Sequence, residues 1–154
     1  MVELAVADEP RMVCDRRELG RPGHSYTIDS LIELREELGA GHSVCLILGC
    51  DAVLNIANWH RWHELLDWCH IIVIARPGWQ LPVAGVVAQW LQQHRLTART
   101  QITQQAGGGI LIEQLTPQPI TATEVRQLLA AGQGAKHLLP PAVLDYIQQQ
   151  KLYR

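Results

Sequence analysis

No stretch of this sequence approaches the roughly 20 consecutive apolar residues that a bilayer-spanning helix requires. The opening MVELAVADEP has neither the basic start nor the apolar stretch of a secretory signal. A basic excess is missing too. Thirteen Lys and Arg stand against fifteen Asp and Glu, a formal charge of -2, which offers no electrostatic footprint for a nucleic-acid backbone. The four cysteines, Cys14, Cys45, Cys50 and Cys69, form no C-x-x-C pair. Without a secretory signal their even number points to free thiols, and Cys45, inside VCLIL, reads as a small buried hydrophobe. The G-x-S-x-G elbow, the Walker A loop and the G-x-G-x-x-G fingerprint are all missing, as are internal repeats and low-complexity segments. What is present is a chain of 154 residues, 47% hydrophobic and 18% charged. That suffices for one packed domain and leaves no room for a generous second. A single α/β domain over 1–154, in a soluble cytoplasmic protein, is the expectation.

The apolar pattern gives the elements. Residues 1–8 read as the end of a helix leading into Pro10, and Met12-Val13-Cys14 places a short strand over 11–15. Ile28, Leu31, Ile32 and Leu38 recur at helical spacing over 25–38, with Ser25 or Thr27 able to cap the start and Gly39 the end. Val44–Leu48 and Ile71–Ala75 are uninterrupted apolar runs that suit parallel strands covered on both faces. An amphipathic helix follows over 83–94, with Val86, Val87, Trp90 and Leu91 along one side. After the flexible Gly107-Gly108-Gly109, a strand is expected over 110–115. Thr121 and Glu124 stand in capping-box register before Val125, Leu128 and Leu129, and Pro140-Pro141 opens a last helix through Val143, Leu144 and Ile147. The alternation of strands and helices makes this an α/β chain with a mostly parallel sheet.

Ligands of open parallel sheets sit beyond the carboxyl ends of the strands, so those ends carry the candidate chemistry. Gly49-Cys50-Asp51 allows close backbone approach and offers a carboxylate to a ribose hydroxyl; equally, it is a strand-to-helix turn with Asp51 as N-cap. Arg76, in Arg76-Pro77-Gly78, could meet a phosphate or the face of a base, or stand in an exposed turn. At Thr121-Ala122-Thr123-Glu124-Val125-Arg126 a helix start offers free N–H groups and a positive dipole end to phosphate, with Arg126 able to reach back; an ordinary capping box explains the same residues. Trp62 and Trp68 read as core packing, whereas Trp59 could equally stack on a heteroaromatic ring. His60, His63 and His70 lack the H-E-x-x-H order of a zinc site. The residues alone support a nucleotide- or phosphate-binding domain without naming a reaction.

Taken in order, His24–Leu31, Leu46–Asp51, Asn58-Trp59, Ile71–Gly78, Ile120–Arg126 and the tail from Leu138 to Tyr153 resemble the bacterial nicotinate-mononucleotide adenylyltransferase family. Ile120–Arg126 is similar to its I-S-x-T-x-x-R signature, with Thr121 in place of the usual serine. The resemblance implies a doubly wound, Rossmann-like sheet with C-terminal helices. It also implies transfer of AMP from ATP to nicotinate mononucleotide, with magnesium accompanying ATP and no protein ligand assigned to it. By position, Tyr26, Thr27, Trp59 and His60 would bind the mononucleotide, and Gly49, Asp51 and Arg76 the adenosine side. Thr121, Thr123 and Arg126 would bind the ATP phosphates, with Thr123 and Arg126 also acting in catalysis.

The family's opening strand and H-x-G-H element, whose histidines stabilise the transferring phosphate, have no counterpart in residues 1–154. The expectation is therefore that Met1 is internal to a longer protein. A central strand would be missing from the sheet, and the chain alone would be poorly stable and catalytically silent. The alternative function is an inactive nucleotide-binding or structural fragment.

Overall fold

The structure is a computed structural model describing residues 1–76, 78–115 and 120–153. In chain order it contains α1 (Val2–Val6), α2 (Thr27–Leu38), β1 (Cys45–Gly49), α3 (Cys50–Leu54), α4 (Leu65–Trp68), β2 (His70–Ala75), α5 (Val86–Gln93), β3 (Ile110–Gln114), α6 (Ala122–Ala130) and α7 (Pro141–Gln149), with short 3-10 turns between. These fall into two compact units, Arg17–Pro117 and a second formed by Met1–Arg16 with Gln118–Arg154.

The larger unit holds the sheet. β1, β2 and β3 lie in that order and are all parallel, with Cys45 opposite His70 and Ile71 opposite Ile110. Parallel neighbours need long crossovers. The first is made by α3 and α4, the second by α5 and a 3-10 turn over Arg99–Gln104. Ile71, Val73 and Ile110 are fully buried among Ile28, Val53, Ile56 and Leu65, so β2 is the covered centre of the described sheet. Among the described residues β1 pairs on one side only. Its Ile47 is 65% exposed, against the expectation that both faces of this run would be covered. Trp62 and Trp68 pack on the core as expected, and Trp59 and Trp79 join them.

Arg35, in the last turn of α2, ties the lower end of this unit together. Its Nη1 donates to the carbonyls of Gly39 (3.2 Å) and His42 (2.5 Å), and its Nη2 to those of Trp68 (2.6 Å) and Ala106 (2.7 Å). One planar guanidinium thus satisfies carbonyls from three separate stretches of chain, which an ammonium could not match in geometry.

The glycine triplet is packed rather than flexible. A Cβ on Gly107 would lie 2.9 Å from the Cys69 backbone nitrogen, and one on Gly109 would lie 2.6 Å from the Leu96 side chain. Gly108 has φ +101°, and its N–H donates to the Cys69 carbonyl at 3.1 Å. Glycine is required there for close approach and for the left-handed backbone.

In the smaller unit, α1 lies against α7, and Val125, Ala135, Val143, Leu144 and Ile147 form the buried set. α7 buries the whole face expected of it, Val143, Leu144 and Ile147, whereas α6 buries Val125 and leaves Leu128 and Leu129 half-buried. Residues 11–15 are irregular rather than a strand, with Val13 88% exposed: three apolar residues without ladder partners make no strand. The helix expected over 83–94 begins at Val86, because Gly85 at φ 95° marks its N-cap, and Val86 points to solvent.

Candidate active site

The parallel strands direct their carboxyl ends to one edge of the sheet, and β1 and β2 deliver the residues expected there. Gly49 closes β1 in extended conformation and is itself the N-cap of α3 (φ -70°, ψ 152°), so Asp51 is a first-turn residue and not the cap. Freed from capping, the Asp51 carboxylate reaches across to the next strand end, where Arg76 Nη1 lies 3.3 Å from its Oδ2. Both side chains are mostly solvent-exposed. Two of the residues assigned to the adenosine side therefore meet as an open ion pair at adjacent strand ends. Pro77, in the same turn, lies outside the described residues.

Tyr26, Thr27, Trp59 and His60 come from two segments far apart in sequence. Tyr26 is the N-cap of α2 with an extended backbone, and neither Ser25 nor Thr27 caps the helix. The Ser25 hydroxyl is held instead by Arg21 Nη1 at 2.8 Å, and Thr27 is the first helical residue. The loop after α3 carries Trp59, half-buried against the core, and His60, exposed. The His60 ring lies over that of Tyr26, centroids 4.3 Å apart at 31°, with His24 6.1 Å further on. An exposed aromatic pair beside a half-buried indole can take a flat heteroaromatic ring.

His70 does not join this cluster. It is 1% exposed at the start of β2, where its Nδ1 accepts the Gly109 N–H (3.0 Å) and its Nε2 donates to the Gln105 carbonyl (3.0 Å). Both ring nitrogens are spent on backbone, so a zinc site shared with His60 and His63 is excluded.

In the smaller unit, Thr121 is the N-cap of α6 and the capping box is complete. Thr121 Oγ1 accepts the Glu124 N–H at 3.1 Å, and Glu124 Oε2 accepts both the Thr121 N–H (3.0 Å) and its hydroxyl (2.8 Å). The structural reading of Thr121 is thus realised in full. Thr123 and Arg126 are exposed, three residues apart and so on one face of α6. Arg126 also lines an apolar cavity of about 290 Å³ with Ile120, Val125 and Leu138.

Two residues of the loop after α3 escaped the sequence reading. Arg61 adopts a left-handed backbone (φ 51°, ψ 35°), and its Nε and Nη2 donate to the two carboxylate oxygens of Glu64 at 2.9 and 2.6 Å. Hydrogen bonding to Arg61 holds the Glu64 carboxyl below its ordinary value, with His63 and His60 adding smaller contributions. The i,i+3 spacing of Arg and Glu was the available signal; a positive φ at a non-glycine leaves none.

Comparison with known proteins gives this arrangement its context. The sequence matches the cytidylyltransferase-like family over residues 1–128. A protein of Aeromonas salmonicida named probable nicotinate-nucleotide adenylyltransferase is 46% identical over 154 residues, covering 100% of this chain and 72% of that one. One of the same name from Cellvibrio japonicus is 46% identical over 156 residues, with the same coverage. The fold is shared with nicotinic acid mononucleotide adenylyltransferase of Plasmodium falciparum, solved in two complexes. That with APC gives a TM-score of 0.58 at 15% identity over 99% of this chain and 72% of the other. That with NaAD gives 0.54 at 18% identity over 84% and 58%. The three-stranded parallel sheet is thus of the Rossmann-like nucleotidyltransferase kind, and the chain belongs to the cytidylyltransferase-like family, among the nicotinate-nucleotide adenylyltransferases.

Proposed function

We propose that this protein, as its host makes it, carries out adenylyl transfer from ATP to nicotinate mononucleotide, yielding deamido-NAD and pyrophosphate. The observation that carries the reading is 46% identity to an adenylyltransferase relative, held across the whole chain. A phosphate oxygen of the mononucleotide attacks the α-phosphorus of ATP, a new P–O bond forms, and the bond to the β-phosphate oxygen breaks to release pyrophosphate. No side chain need become covalently attached, so the protein's work is positioning and charge stabilisation.

In this reading Trp59 and the Tyr26–His60 pair hold the pyridine ring, and Thr27 with its neighbouring backbone meets the carboxylate. Gly49, Asp51 and Arg76 take the adenosine side; the exposed Arg76–Asp51 pair opens at little cost as the nucleotide enters. The start of α6 with Thr121, Thr123 and Arg126 receives the phosphates, Thr123 and Arg126 serving the transferring group. Magnesium belongs to the substrate as Mg–ATP, held by phosphate oxygens and water. Among the described residues no three His, Cys, Asp or Glu side chains converge as a metal site.

Pyrophosphate release by the protein as its host makes it, assayed with the acid and with the amide mononucleotide, tests the reaction. Release that depends on the acid is expected. ATP binding without release from either acceptor would replace this reading by a nucleotide-binding one. Trp59→Ala should raise KM for the mononucleotide about tenfold through lost stacking area, with kcat nearly unchanged. Arg126→Ala should lower kcat about 100-fold if the guanidinium meets charge developing in the transition state. Unchanged kinetics in both would remove these residues from the site.

A further inference from the structure

We propose that Arg61 is a positioning residue, whose paired guanidinium and left-handed backbone lock the loop between α3 and α4 so that Trp59 and His60 face the acceptor nucleotide. The inference rests on the reading of Trp59, His60 and Tyr26 as the acceptor side.

A left-handed backbone is the ordinary province of glycine and is adopted by few other residues. Here it falls on arginine, and the side chain is put to use. The Arg61 fork grips both carboxylate oxygens of Glu64, while the Glu64 N–H donates to the Arg61 carbonyl at 3.0 Å. Side chain and backbone close over the same four residues, Arg61 to Glu64, and a planar bidentate pair tolerates little rotation. The turn is pinned on its other side as well: the Trp59 N–H donates to the Ile56 carbonyl (2.9 Å), and the Trp62 N–H to that of Trp59 (3.3 Å). His60 sits immediately before the locked residue, its ring 4.3 Å from Tyr26. Asp29, in the first turn of α2 whose start carries Tyr26 and Thr27, adds its charge to the field at the Arg61 guanidinium.

Exposure separates positioning from bulk stability. The pair is about one-third exposed, 37% for Arg61 and 30% for Glu64, a setting in which an ion pair adds little to global stability. Its loss should loosen the loop more than it lowers the melting temperature.

Steady-state kinetics with ATP and nicotinate mononucleotide, on the protein as its host makes it, provide the test. Arg61→Gly accepts the backbone angle and removes the fork; Glu64→Gln keeps the size and removes the charge. Each is expected to raise KM for the mononucleotide about tenfold, with kcat and KM for ATP shifting less than about twofold, and Arg61→Lys is expected to recover only part of the loss. The double variant should be no worse than either single one. An unchanged mononucleotide KM in Arg61→Gly, or equal losses toward both substrates, overturns the proposal. Trp59→Ala, run beside it, separates the two levels. If Trp59→Ala raises the mononucleotide KM while Arg61→Gly does not, the acceptor reading stands and the positioning role falls. If Trp59→Ala leaves that KM unchanged, both fall.

Discussion

His70 shows how one ring can hold two segments in register. Its imidazole is buried at the start of β2, accepts a hydrogen bond from Gly109 and donates one to Gln105, so the approach to β3 is fastened to the strand beside it. Replacement by phenylalanine keeps an aromatic ring and strands the buried Gly109 N–H. The expected loss is about 2 kcal/mol, seen as a lower urea midpoint with an unchanged slope; an unshifted midpoint would mean water replaces both partners. Little of this was legible beforehand. In sequence His70 is one of three histidines near a tryptophan cluster, and only burial separates a structural imidazole from an exposed one such as His60. Thr121 is the opposite case, since its capping partner lies three residues away and the spacing alone names it.

Elements whose stability comes from their own repeat were readable in the same way. α7 buries Val143, Leu144 and Ile147, and α6 buries Val125 behind its capping box, both as the periodicity requires. Elements that depend on a neighbour were not. Residues 11–15 have strand-like composition and no ladder partner, and the run Gly107–Gly109 reads as flexible although its neighbours press directly upon it. That pressure sets an order between two substitutions. A Cβ at position 107 meets the Cys69 backbone, which cannot give without moving β2, whereas at 109 it meets the Leu96 side chain, which can rotate. Gly107→Ala is expected to cost about 3 kcal/mol and Gly109→Ala about 1 kcal/mol. Thermal denaturation of both variants would expose a reversed order.

At the scale of the whole molecule, burial of Cys69 couples stability to alkaline pH. Desolvation pushes this thiol from its ordinary 9.0 up to about 12, outweighing a backbone hydrogen bond near Leu46 and the charge of Arg35. A raised value in the folded state means that unfolding releases a proton above the unfolded thiol's range. Stability is therefore full below about pH 9 and declines as pH rises toward about 12. Unfolding free energies from urea titrations at about pH 8 and about pH 10.5 should fall for the native protein by about 1–2 kcal/mol more than for Cys69→Ala. Parallel curves for the two proteins would show that the thiol ionises in the fold. No helix among the described residues is long and apolar enough to cross a membrane, in keeping with the lack of long apolar runs in the sequence.

The sequence by itself determined the α/β class, the three parallel strands to within a residue of their ends, the capped start of α6 and the family, because apolar periodicity, capping spacing and ordered motifs are local properties of the chain. Only the tertiary structure decided that Asp51 pairs with Arg76, that His60 stacks on Tyr26 while His70 is sealed in backbone hydrogen bonds, that a glycine triplet is a packing requirement, and that Arg61 turns left-handed against Glu64. Each of the tertiary outcomes except the last joins groups distant in sequence, and the last is a backbone choice that the loop's surroundings must enforce. Long-range contact and enforced conformation leave no period in a sequence.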